Sequence, residues 1–201
     1  MVIPGAGRTR YVVGVVVAGL AIAGCGSGSS SSTPGPASSG AAASEAQSAA
    51  QGDIPDNQKF LTFKNPQAGY SIKYPEGWAR KGAGNQVTFS DKGNSVTIAV
   101  ARGPVPTTAS VSAELKKVAA NDPTLKPGAP QQIKAGQNQA IHVVYHVQGP
   151  ADPVTGQKPT LMVDRYVLAS KGRVATIDQS SPVGVDNVDA YRLIIESFGW
   201  S

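Results

Sequence analysis

From Gly26 to about Gln58 the chain is almost wholly Ser, Gly, Ala and Pro, with no Lys or Arg and almost no large apolar residue; Ser29 to Ser32 is an unbroken serine run. Such a stretch cannot bury enough apolar surface to offset the entropy lost on ordering. It reads as a flexible spacer, with a mean reach of about 30 Å for about 33 residues. The spacer divides the 201 residues into a short head and a long tail. Only the tail, Lys59 to Ser201, can build a core. It suits one domain and is too short for two ordinary ones.

The head has three parts. Arg8 and Arg10 give a positive start, and Tyr11 to Ala23 is an uncharged, mostly apolar run of 13 residues. That is well short of the roughly 20 residues that a membrane-spanning helix needs, and it fits a secretory signal peptide. Thr9 separates the two arginines, so the paired-arginine export signal is not matched and the general secretory route is expected. Ile22-Ala23-Gly24-Cys25 closes the run. This tetrad resembles the lipobox of bacterial lipoprotein precursors. Its residue types suit that chemistry: a thiol takes the diacylglyceryl group, and small neighbours let a peptidase reach the backbone. The resemblance implies cleavage after Gly24 and lipid on Cys25. Two acyl chains hold firmly, because each buried methylene contributes about 0.8 kcal/mol. Cys25 is the only cysteine, so no disulfide can form within the chain. The expected layout is a signal peptide over 1–24, a lipidated cysteine and tether over 25–58, and a globular domain over 59–201. The expected location is the outer face of the cell membrane.

The formal charge is +5, and removing Arg8 and Arg10 with the leader takes it to +3. The remaining basic residues form small pairs, Arg80-Lys81, Lys116-Lys117 and Lys171 with Arg173, which read as solvated surface or as contacts to anionic headgroups. A clustered basic stripe is lacking, so no nucleic-acid partner is expected.

Within the tail, Tyr70 to Tyr74 alternates, with Tyr70, Ile72 and Tyr74 on one face, and Pro75-Glu76-Gly77 ends it as a turn. Gln86–Ser90 and Ser95–Ala101 are two more strands joined by the hairpin loop Asp91-Lys92-Gly93-Asn94. Ser110 to Ala120 has helical spacing, with Val111, Leu115 and Val118 on one side and Ser110 or Ser112 as the cap; Asn121-Asp122-Pro123 stops it. Strands follow at Ala140–Val147, Leu161–Leu168 and Arg173–Asp178, the last two joined by Ser170-Lys171-Gly172. A closing helix runs from Asp186 to Phe198, with Asp186 as cap, Asp189 as its reciprocal partner, and Val188, Tyr191, Ile195 and Phe198 toward the sheet. Short links between strands imply a mainly antiparallel sheet flanked by helices, an α+β fold.

Phe63 to Trp78, with its Gly69-Tyr70 strand ending in Tyr74-Pro75 and the nearby Gly77-Trp78, resembles the opening of PsbP-like domains. Asp189-Ala190-Tyr191 with Ile194, Ile195, Glu196, Ser197 and Phe198 is similar to that family's closing helix. The layout also resembles the LpqN-type actinobacterial lipoproteins. The resemblance implies a PsbP-like α/β sandwich over roughly 60–200 and an accessory role in a membrane complex. The residues that carry it, Gly69, Pro75, Trp78, Tyr191 and Phe198, have structural work as their simplest reading.

His142 and His146 are the only histidines and lie four apart in a strand. At about 3.3 Å per residue they are about 13 Å apart, too far to share one metal ion. Asp164, Arg165 and Asp178 fall on neighbouring strands and form either a surface charge cluster or the lining of a polar groove. No Gly-x-Ser-x-Gly elbow and no phosphate loop is present. No catalytic residue, metal site or cofactor is therefore expected. The expected role is a non-catalytic binding or accessory module for an envelope protein complex, its partner unidentified. The alternative is a carrier of a small apolar ligand or lipid, suggested by Leu161–Leu168 being apolar on both sides.

Overall fold

The structure is a computed structural model that describes residues 52–151 and 156–201. The expected signal peptide (1–24), Cys25 and most of the expected tether lie outside the described residues. The last spacer residues are docked: Ile54 N–H donates to Asn187 Oδ1 at 2.7 Å, and Ile54 packs on the core.

Among the described residues there are eleven strands: β1 (Phe60–Asn65), β2 (Tyr70–Pro75), β3 (Ala79–Ala83), β4 (Gln86–Asp91), β5 (Asn94–Arg102), β6 (Lys126–Pro127), β7 (Gln131–Ala135), β8 (Asn138–Gln148), β9 (Thr160–Ser170), β10 (Arg173–Pro182) and β11 (Gly199–Trp200). Helix α1 (Thr108–Asn121) follows β5, and α2 (Val188–Glu196) follows β10. One sheet has the order β3-β4-β5-β10-β9-β8-β6, with β7 also on β8; a second has the order β1-β2-β11. Every pairing is antiparallel. The fold is α+β with a mainly antiparallel sheet, as the short links imply.

Two hairpins turn on the same dipeptide. Lys92-Gly93 joins β4 to β5 with φ of 47° and 83°, and Lys171-Gly172 joins β9 to β10 with φ of 50° and 75°. Two successive positive φ angles match the right-handed twist of the flanking strands. At Gly69, which leads into β2 with φ of 69°, an added Cβ would lie 1.8 Å from Arg173 Nη1.

Alternation along the long strands feeds two cores. On one face Ile141, Val143 and Tyr145 of β8 and Val163 and Val167 of β9 meet Val111 and Leu115 of α1. On the other, Phe89, Ile98, Leu168 and Ile177 meet Tyr70 and Ile72 of the small sheet and Tyr191, Ile194 and Ile195 of α2. Strand β9 is apolar on both sides because it is covered on both sides.

Both helix starts differ from the sequence reading. Helix α1 is capped by Thr107, one turn earlier: Ser110 N–H donates to Thr107 Oγ1 at 3.1 Å and Thr107 N–H to Ser110 Oγ at 2.9 Å. Ser110 is thus the reciprocal partner, not the cap. Val118 is 41% exposed, because the buried stripe uses Val111 and Leu115 and then turns toward Ala119. Helix α2 starts at Val188, with Asn187 at the cap position and no side-chain capping bond. Asp186 Oδ1 accepts from Val188 N–H only at 3.4 Å, and Asp189 pairs with Arg192 at 3.0 Å instead. Val188 is 60% exposed, and Ile194 takes its place in the core.

Replacing Leu115 with Ala should cost about 3 kcal/mol, the range for a buried leucine. Val118→Ala should cost less than about 0.5 kcal/mol, because its site is on the surface. Urea unfolding measures both. Equal losses would mean that the helix is rotated toward the face expected from its sequence.

Candidate functional site

Asp164 and Arg165 are neighbours on β9, so the pleat sends them to opposite faces of the sheet. They do not form one cluster with Asp178. Arg165 points toward α1 and makes two bonds to Asp178, Nε–Oδ1 at 2.7 Å and Nη2–Oδ2 at 2.8 Å. Glu114 of α1 adds a bond at 3.2 Å, and the guanidinium stands 5.4 Å from the Tyr145 ring centre. The group fastens α1 to the sheet. Other basic residues are similarly engaged. Arg173 donates to Ala68 O at 3.0 Å, Gly69 O at 3.2 Å and Ser201 O at 3.1 Å while lying over Trp200, and Arg80 lies over Phe63.

Asp164 faces α2. His142 lies diagonally across on β8, its Nε2 2.8 Å from Asp164 Oδ1 and its ring stacked on Tyr166 at 4.5 Å. His146 shares that strand but is exposed, and the two histidines do not converge. Among the described residues no group of three or more His, Cys, Asp or Glu side chains could hold a metal ion.

Beside this trio a chain of buried polar groups runs under α2. Asn94 Nδ2 donates to Gly52 O, and Asn187 Nδ2 donates both to Asn94 Oδ1 at 3.1 Å and to Ser181 Oγ at 3.0 Å. Ser181 Oγ donates to the Tyr191 hydroxyl at 2.9 Å, which donates to Ser180 O at 2.7 Å. Gln179 Nε2 donates to Tyr191 O at 2.9 Å. Gln179 Oε1 is left with no partner, although the residue is 0% exposed. Between this chain and the Asp164 trio lies a cleft of about 170 Å³, lined in part by Met162, Asp164, Tyr166, Gln179, Val188 and Arg192.

Burial, with the Asp164 carboxylate beside it, pushes the Tyr166 hydroxyl up to about 12. Burial likewise raises Tyr145 and Tyr191 to about 12, against an ordinary value of 10.0. The sequence reading singled out His142, Asp164 and Arg165 but not Gln179, Asn94, Asn187 or Ser181. The available signal was in β10, where Ala175, Ile177, Gln179 and Ser181 share the inward side, so polar residues continue a buried row.

No protein-family model matches the chain. No curated protein matches it. Solved structures of similar fold include a Bacteroides thetaiotaomicron VPI-5482 protein, at 12% identity over 70% of this chain with a TM-score of 0.48. The chain spans only 48% of that protein's length. PsbP (CyanoP) from Synechocystis sp. PCC 6803 is similar at 15% identity over 75% of this chain and 98% of its own, with a TM-score of 0.49. LpqN, involved in cell envelope biogenesis of Mycobacterium tuberculosis, is similar at 15% identity over 71% of this chain and 91% of its own, with a TM-score of 0.42.

Two outcomes follow from the geometry. Asp178→Ala leaves the Arg165 guanidinium, 14% exposed, with the exposed Glu114 as its one carboxylate, and should cost about 3 kcal/mol in urea unfolding. Glu114→Ala should cost less than about 1 kcal/mol. The tyrosines set an alkaline limit. Unfolded tyrosines ionise near 10 while Tyr145, Tyr166 and Tyr191 stay neutral to about 12. Their contribution to stability is therefore complete below about pH 10 and lost as pH rises toward about 12. An ultraviolet phenolate titration checks this, and full ionisation of the folded protein near pH 10 would contradict it.

Proposed function

We propose that the chain is a lipid-anchored extracytoplasmic module whose folded domain binds a partner and does not catalyse a reaction. The observation that carries this reading is Ile22-Ala23-Gly24-Cys25 at the end of a brief apolar leader, followed by a spacer of small and polar residues. In this reading Cys25 becomes the lipidated N-terminus after cleavage behind Gly24. The spacer lets the domain reach a neighbouring envelope protein, which is the partner. The domain's own chemistry is consistent with that role. Arg165 and Arg173 act as internal fasteners, and no helix among the described residues is long and apolar enough to cross a membrane. In this reading the anchor is the lipid on Cys25.

The alternative of an apolar carrier rested on β9 being apolar on both sides. Val163 and Val167 pack under α1 and Leu168 packs in the opposite core, so those side chains are engaged within the fold.

Cys25→Ser in native cells should remove the lipid mass and move most of the protein from the membrane fraction to the soluble fraction. Crosslinking of the unsubstituted protein should capture a discrete envelope protein. Intact mass showing residues 1–24 still joined to an unmodified Cys25 would refute the anchor. A monomer without a crosslinked neighbour would refute the docking role.

A further inference from the structure

Gln179 presents an acceptor that the fold does not use. Its amide orientation is set, because Nε2 donates to Tyr191 O at 2.9 Å, so Oε1 is the atom left over on a residue that lines the cleft. Among the described residues three other buried side-chain polar atoms lack partners, on Tyr70, Ser180 and Trp200, but none of those residues lines this cleft. Gln179 is registered directly opposite Asp164, so the amide oxygen and the carboxylate stand on one face with Cβ atoms about 5 Å apart. One Asp164 oxygen is held by His142. Tyr166 adds its ring, and Met162 and Val188 add apolar surface.

A reachable carboxylate beside an aromatic ring, backed by the negative end of a buried amide, selects a donor that carries positive charge. The donor set is too small for a hard cation such as calcium, which takes 6–8 oxygens. An anion is disfavoured, since Arg192 is the one cation of the lining and its guanidinium is turned to Asp189 at 3.0 Å. The space of about 170 Å³ exceeds the share of a single water, about 30 Å³. We propose that the cleft between β9, β10 and α2 binds a small organic ammonium group, a primary amine of a few carbons. Its N–H groups bond the Asp164 carboxylate, the unpartnered Gln179 Oε1 lends partial negative charge from behind the cleft wall, and its carbon chain lies against Met162 and Val188. This goes beyond the anchored-module reading and does not depend on it, since the cleft is the same whether or not Cys25 carries lipid.

The test titrates the full chain with n-propylammonium chloride, n-propanol and sodium acetate at matched ionic strength, following the thermal midpoint. The expected result is a saturable rise with propylammonium alone. In Asp164→Asn, which keeps the side-chain shape, half-saturation should need at least tenfold more ligand. Gln179→Leu should weaken binding less, and it also removes the bond to Tyr191 O, so Asp164→Asn is the deciding variant. An equal response to n-propanol, no saturation, or an Asp164→Asn curve matching the unsubstituted chain overturns the proposal and leaves a water-filled recess. A response to acetate without one to propylammonium overturns it in favour of an anion at Arg192.

Discussion

The buried hydrogen-bond chain from Asn94 through Asn187 and Ser181 to Tyr191 holds this domain in one arrangement. Apolar packing would allow a short helix such as α2 to slide or roll on the sheet at little cost. A row of buried donors and acceptors does not, since each mismatch leaves a desolvated polar group. Asn187 is central. Its carbonyl oxygen accepts from Ile54 and its amide donates to Asn94 and Ser181, so one side chain ties the entry segment, β5 and β10 together. That is why it does not cap α2: its side-chain oxygen is already engaged by Ile54. The helix therefore starts without the usual capping bond, and its position is set from beneath.

The same constraint explains how the cleft stays open. The tyrosine hydroxyl and the Gln179 amide are both bound to fixed partners on α2 and β10, so neither can rotate to fill the space between. On the opposite face the Arg165–Asp178 pair does comparable work for α1. The sheet is thus fastened on each side by one polar device set within a larger apolar contact. The two devices differ in what they leave over: the ion pair uses both Asp178 oxygens, whereas the amide chain ends in an unused oxygen.

Much of the fold was legible before the structure, because the long strands follow simple alternation. Ile141, Val143 and Tyr145 lie where their spacing put them, and Lys92-Gly93 turns where a hairpin was expected. Elements without apolar periodicity were not legible. Strand β3 is Ala-Arg-Lys-Gly-Ala with every residue exposed, and β6 has two residues, so only pairing defines them. The helix starts were misread because Thr107 and Asn187 compete with serines and aspartates of equal local propensity, and tertiary contacts decide among them. The site was half legible. His142 and Asp164 stand out in the sequence as titratable groups but not as a pair, since their contact depends on β8–β9 register. Gln179 lies beyond the point where the apolar residues of β10 give out, so alternation alone ends that strand at Asp178.

The outer edge of β8 is shared by two short strands, β7 against its first half and β6 near its end. A long unpaired edge is a template on which a second molecule can zip its own strand. Here that row is interrupted and occupied, and the far edge, β3, carries Arg80 and Lys81 in the open. Two copies meeting along either edge of the large sheet would therefore find no long, uncharged row on which to zip a strand.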